Sequence, residues 1–144
     1  MKLLISSLLM VGLSTAAIAQ DVAKNDVPSA VLNTFNTNFS NAVDIEWEME
    51  GDLYKGEFEI GKAEHEVWID KSGNINRHKS DISKEELPER VREKIKSDYK
   101  DYSIDDVEKI EIDGTVYYEI ELDGKSRDLD IILSPDGTVQ QGIK

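Results

Sequence analysis

Thirty Asp and Glu side chains, two His and no Cys are what this 144-residue chain offers for chemistry. The lack of Cys excludes thiol catalysis and Cys-ligated metals. Glu64-His65-Glu66 has the residue types of a metal site. In an extended strand, however, His65 points away from both glutamates, so the trio cannot converge on one ion. His78 is expected on the surface, at the end of a short strand. Asp70-Lys71-Ser72-Gly73-Asn74 begins like a calcium loop but is too short and carries a Lys among its donors, so it reads as a turn. No Ser stands in a Gly-x-Ser-x-Gly elbow, and there is no glycine-rich phosphate loop. No catalytic residue, metal ligand or cofactor is therefore assigned, and the expected protein is not an enzyme.

What remains is the carboxylates themselves. The formal net charge is −13. That excludes nucleic acid, whose phosphates call for Lys and Arg clusters, and it opposes adsorption to an anionic membrane. A basic partner, a cation or plain solubility is compatible with it.

The elements that position these groups come from periodicity. Residues 1–19 combine Lys2, an apolar run from Leu3 to Leu13 and small residues ending at Ala17-Ile18-Ala19, the pattern of a cleavable signal peptide. The run is too short to span a bilayer, and no second one follows. The expected locale is periplasmic or secreted. The rest carries a repeat at an offset of about sixty residues. Val27-Pro28-Ser29-Ala30-Val31 matches Leu87-Pro88-Glu89-Arg90-Val91, Glu57-Phe58-Glu59 matches Glu119-Ile120-Glu121, and Gly73-Asn74-Ile75 matches Gly137-Thr138-Val139. Residues 20–82 and 83–144 are thus expected to be two copies within one compact domain.

Each copy opens with a helix. Val27, Val31, Phe35 and Phe39 form one apolar stripe; Leu87, Val91, Ile95 and Tyr99 form the other. Asp26 is the expected N-cap of the first. Ser83 and Glu86 have capping-box spacing, but Pro88 would then lie inside the helix, so 83–86 is expected to be a short turn and the helix to start near Leu87. Alternating strands follow. In the second copy they are placed at 107–112, 115–122, 127–133 and 137–143, with tight Gly-containing turns that imply antiparallel pairing. In the first copy Ile75 is expected to open a short fourth strand. The fold class is α+β: a duplicated helix-plus-four-strand unit forming one sheet with both helices on one face.

Alternation then collects the carboxylates on the other face. Glu46, Glu48, Glu57, Glu59, Glu64, Glu66 and Asp70 come from the first copy, and Glu119, Glu121, Asp128 and Asp130 from the second. Trp68, Tyr117 and Ile132 share that face. Like charges directly opposite on neighbouring strands are destabilising, a cost expected to stand until a partner arrives. Charged outward residues also keep sheets from stacking, which is the solubility reading. As an interface, the face offers Trp68 and Tyr117 as anchors and Glu57, Glu59, Glu66, Glu119, Glu121, Asp128 and Asp130 as the acidic surround.

Val27-Pro28, Trp47, Tyr54, Asp70-x-x-Gly73, Leu87-Pro88, Tyr117-Tyr118 and Asp136-Gly137 together make the mature chain similar to the PepSY-like proteins, also described as putative beta-lactamase-inhibitor-like domains of exported proteins in Bacteroidetes-type bacteria. The resemblance implies a duplicated helix-plus-sheet fold and the binding or inhibition of other proteins. The expectation is an exported binding module for a protein or peptide, basic in character. The alternative is a divalent-cation binder with weak affinity for calcium.

Overall fold

The computed structural model describes residues 19–143. The expected signal peptide lies outside the described residues except for Ala19. Nine strands form a single sheet in chain order: β1 (Gln20–Asp21), β2 (Val43–Glu50), β3 (Leu53–Ile60), β4 (Ala63–Asp70), β5 (Ile75–Asp81), β6 (Tyr102–Ile112), β7 (Thr115–Gly124), β8 (Leu129–Leu133) and β9 (Val139–Gln140). Every neighbouring pair is antiparallel. Two ten-residue helices, α1 (Ser29–Asn38) and α2 (Glu89–Asp98), precede β2 and β6.

Both helices start one residue after a proline that supplies the N-cap backbone. Pro28 and Pro88 have φ near −55°, which the ring fixes, and each carbonyl accepts the first helical bonds, from Leu32 and Arg92 N–H respectively. Asp26 is therefore not the cap of α1; it closes a 3₁₀ turn, Lys24–Asp26, that runs into Pro28. The matching turn, Lys84–Glu86, carries the capping box read from Ser83 and Glu86, with Ser83 N–H donating to Glu86 Oε2 at 2.8 Å. The box serves the turn, and α2 begins after it.

Val31 and Phe35 of α1 bury against Trp47, Phe58, Val67 and Ile69. Phe35 meets Phe58 and Trp47 edge-on, with centroids 4.9 and 5.1 Å apart. Val91 and Ile95 of α2 bury against Val107, Tyr118, Ile120, Leu122 and Leu133. Each helix is also pressed by a turn. Thr34 Oγ1 donates to the Gly73 carbonyl at 2.7 Å, and a Cβ on Gly73 would lie 2.9 Å from the Ala30 carbonyl oxygen. Gly73 has φ +91°, so both the turn and the close approach require glycine there.

Strand bounds depart from expectation at the ends. β5 extends over seven residues because β6 pairs with it as far as Asp81–Glu108. β9 is only two residues, and β1 is an added two-residue strand against Met49 and Glu48. Beyond β1 the edge of β2 is bare: Val43 is 51% and Ile45 38% exposed, beside a bulge at Asp44, which adopts φ +52°. That bulge leaves Ile45 outside the buried set to which Trp47, two residues on, belongs.

Candidate binding surface

Strand register sets the carboxylates in transverse rows on the sheet face opposite Val67 and Ile69. One row runs Glu46, Glu57, Glu66, Lys79, Ile110, Tyr117. A second contains Glu59 opposite Glu64, and Asp81 opposite Glu108, which faces Glu119 and then Ile132. A third runs Asp106, Glu121, Asp130. Within these rows seven pairs of carboxylates thus stand directly opposite one another: Glu46–Glu57, Glu57–Glu66, Glu59–Glu64, Asp81–Glu108, Glu108–Glu119, Asp106–Glu121 and Glu121–Asp130.

Two of these pairs are held by lysines that the sequence reading left out. Lys55, on β3, pairs with Glu57 and reaches Glu66 Oε1 at 2.7 Å. Lys79, on β5, lies 2.5 Å from Glu108 Oε2 and 3.2 Å from Glu119 Oε2. Burial works against the charge on each ammonium, but hydrogen bonds and attraction from the two carboxylates outweigh it and hold both lysines above their ordinary range. Half-burial pushes the Glu108 carboxyl up, opposed by Lys79 and reinforced by Glu119. The cost expected of the acidic face is therefore partly offset within the protein. The signal was present in the alternation of Lys55 with Gly56 and in the length of β5, which the expectation of a short strand opening at Ile75 hides.

Glu59–Glu64 and the run Asp106–Glu121–Asp130 have no such clamp; among the described residues no cation lies within 4 Å of Glu59, Glu64, Asp106, Glu121 or Asp130. Glu121 is pushed up by desolvation and by Asp105, Asp130, Asp123 and Asp106 together. Asp123 is raised chiefly by Asp105. Asp128 stands in the turn before β8, where it accepts the Gly124 N–H at 3.2 Å, rather than in a strand row.

Trp68 lies on this face but is only 7% exposed. Arg77 and Lys55 stack over its ring at 4.6 and 5.5 Å, and Nε1 donates to Glu50 Oε2 at 2.5 Å. Tyr117 stands half-exposed at the end of the central row, beside Ile110, which is buried. A cavity of about 340 Å³ opens where Asp44, Glu46, Glu59, Glu64, Asp81 and Glu108 converge.

His65 and His78 are on the opposite face, in register with the α1 cluster. His78 is not a surface residue: its ring lies 5.0 Å from Phe39, and its Nε2 is 3.1 Å from His65 Nδ1. The two rings are within 9° of parallel with centroids 5.3 Å apart. The nitrogens are much closer than the centroids, so the rings meet edge to edge in an N–H···N bond. Among the described residues no group of three or more His, Asp or Glu side chains is arranged to hold a metal ion, and no helix is long and apolar enough to cross a membrane.

Residues 14–76 and 52–141 match the model of a family described as "putative beta-lactamase-inhibitor-like, PepSY-like". No curated protein matches the chain. Among solved structures, a putative periplasmic protein from Bacteroides eggerthii is 18% identical, with TM-score 0.72 over 80% of this chain and 86% of that one. A BLIP-like protein from Bacteroides fragilis is 24% identical, with TM-score 0.67 over 79% and 84%. A DUF2874 family protein from Bacteroides uniformis is 16% identical, with TM-score 0.70 over 78% and 85%. These likenesses establish the fold.

Proposed function

Since the chain belongs to the putative beta-lactamase-inhibitor-like, PepSY-like family, we propose that it is an exported, non-enzymatic module that binds a protein or peptide on the sheet face opposite its helices. The helix positions at 29–38 and 89–98, each behind a proline, support reading the two halves as copies of one unit with both helices on one side. The observation that carries the proposal is the row Glu46–Glu57–Glu66–Lys79–Ile110–Tyr117, which crosses six strands with no helix packed on it. It joins an acidic end, through Lys79 and the buried Ile110, to a half-exposed tyrosine. Aromatic anchors beside charged groups are the usual composition of a binding core and its rim.

A basic partner fits best, because the unclamped carboxylate pairs gain most from an added cation. Tyr117, rather than Trp68, is the anchor in this reading; Trp68 is already covered by Arg77 and Lys55. Inhibition of an exported enzyme is the narrower form of the proposal. The test is affinity capture from periplasmic extract by the wild-type protein, Tyr117→Ala and Glu59→Lys/Glu121→Lys. A partner held by the wild type and lost with both face variants supports the reading. A partner held equally by all three refutes it.

A further inference from the structure

A second surface, remote in chemistry from the acidic rows, lies where the outer side of α2 meets the start of β6. Ile95, Tyr99, Tyr102 and Ile104 form the floor of an open groove of about 490 Å³. Its rim carries Lys84, Arg92, Lys96 and Lys100, with Glu85 the one carboxylate among them. None of the four cations makes an ion pair within 4 Å among the described residues. Among the described residues their one side-chain hydrogen bond is a long one from Arg92 to the Glu85 carbonyl, 3.4 Å. In a chain of net charge −13, four unpaired cations around one apolar floor are the place where an anion is drawn rather than repelled.

The sequence of the second half departs from that of the first where it borders the groove. Arg92, Ile95, Lys96 and Tyr99 follow i, i+3, i+4, i+7 spacing and so share one helix face. Sixty residues earlier the same places hold Leu32, Phe35, Asn36 and Phe39, and Lys100 corresponds to Ser40. α1 is a helix of the same length with no base in its last turn, so the cations are not needed to end the helix. The floor differs too. Four aromatic rings, Phe35, Phe39, Trp47 and Phe58, fill the space beneath α1. The matching places in the second half hold Ile95, Tyr99, Val107 and Ile120, with Tyr118 where the first half has Gly56.

We propose that this groove binds a single-chain anionic amphiphile, an alkyl carboxylate whose tail lies on Ile95, Tyr99, Tyr102 and Ile104 and whose head meets Arg92 and Lys96. The volume suits a small molecule rather than a protein surface. The floor offers few polar groups, so a sugar, nucleotide or peptide backbone would leave its donors and acceptors unpaired there, whereas an acyl tail has none to satisfy. The Lys stems extend the apolar wall while their heads stay in water. This site does not depend on the reading of the sheet face.

The test is calorimetric titration of the purified protein with dodecanoate below its micellar range, beside dodecanol. Two double variants accompany the wild type: Arg92→Glu/Lys96→Glu, and Lys62→Glu/Lys71→Glu, which alters the total charge equally at exposed turns elsewhere. Saturable binding of dodecanoate is expected, at least tenfold weaker in the groove variant and within twofold of wild type in the turn variant. Thermal melts check that both variants remain folded; Lys100→Glu, also exposed, replaces the first pair if it does not. The proposal is overturned if dodecanoate shows no saturation, if dodecanol binds as tightly, or if both double variants weaken binding alike.

Discussion

Replacing His78 by Phe should make stability less dependent on pH, and the direction follows from the edge-to-edge histidine pair. His78 Nε2 and His65 Nδ1, 3.1 Å apart, can share one proton as N–H···N only while at least one ring is neutral. Around the pair stand Phe39 after α1, Phe58 on β3, Ser80 and Asp81 on β5, and Lys109 and Glu111 on β6. Burial, then His65, then Lys109 push the His78 imidazole down to about 4. Burial also lowers His65, with Asp81 opposing. Glu111 stands directly opposite His78 on β6. Because the folded state resists the proton and the unfolded chain accepts it near 6.5, the unfolded state binds more protons as pH falls. The pair's contribution is therefore present above about pH 6.5 and is lost as pH falls toward 4.

Full burial would make that loss roughly 3 kcal/mol. The ring is only half buried, and solvent screening reduces it to on the order of 1–2 kcal/mol. Phe keeps the contact with Phe39 and removes the titration. Urea unfolding of wild type and His78→Phe at several pH values between 7 and 4 measures the difference directly. Glu108, Glu121 and Asp123, held above their ordinary range, release strain on protonation and act in the opposite sense. They are common to both proteins and cancel in the comparison. The gap between wild type and variant should move by about 1–2 kcal/mol against the wild type as pH falls. Parallel pH profiles, or a wild type that gains on the variant in acid, would refute the argument; the second result would mean that the pair binds a proton more tightly when folded.

Lys79→Met should destabilise by about 1–2 kcal/mol at pH 7, since it leaves Glu108 facing Glu119 without a cation, and the loss should shrink as pH falls and Glu108 protonates; urea melts at pH 7 and 5 check both parts. Gly73→Ala should cost more than about 2 kcal/mol, because φ +91° and a 2.9 Å approach to the Ala30 carbonyl leave no room for a methyl group; a thermal melt within a degree of wild type would show that the turn can move off α1. Glu121→Gln should raise the melting temperature, and more at low ionic strength than at high, since Asp106 and Asp130 flank it in one row; a fall would show that Glu121 has a favourable partner in solution.

Period-two alternation was enough to place most of the strands and the shared face of Glu57, Glu66 and Glu119, because every strand of an antiparallel sheet declares its own inside and outside. Two kinds of information escaped it. The first is charge compensation. Lys55 and Lys79 sit in the same alternation as the glutamates they clamp, but their partners lie on other strands, and which carboxylates face which lysine is a matter of register. The second is burial by neighbours on the same face. Trp68 reads as an exposed anchor from its strand alone, yet Arg77 on β5 and Lys55 on β3 close over it. His78 shows the converse: its sequence neighbours suggest the end of a short strand, but it is the middle of a seven-residue one that the β6 pairing extends. The groove over α2 was open to sequence inspection, since Arg92, Lys96 and Lys100 run beside the apolar stripe at helical spacing, but a stripe of bases on a helix surface usually signifies only solvation.

The placement of the two lysines bears on where a partner's charge would count. Glu57–Glu66 and Glu108–Glu119 already face an ammonium, so a further cation there would meet a carboxylate whose repulsion is largely relieved. Glu59–Glu64 and Asp106–Glu121–Asp130 face none. A basic side chain brought to either would remove a repulsion the folded protein otherwise keeps, and so would gain more than at the clamped centre. Tyr117, half-exposed at the end of the central row, is better suited to an apolar or aromatic contact. On this argument a partner recognised by the face carries positive charge at its flanks and an apolar or aromatic residue between them, and charge reversal at Glu59 or Glu121 should weaken its capture more than reversal at Glu57.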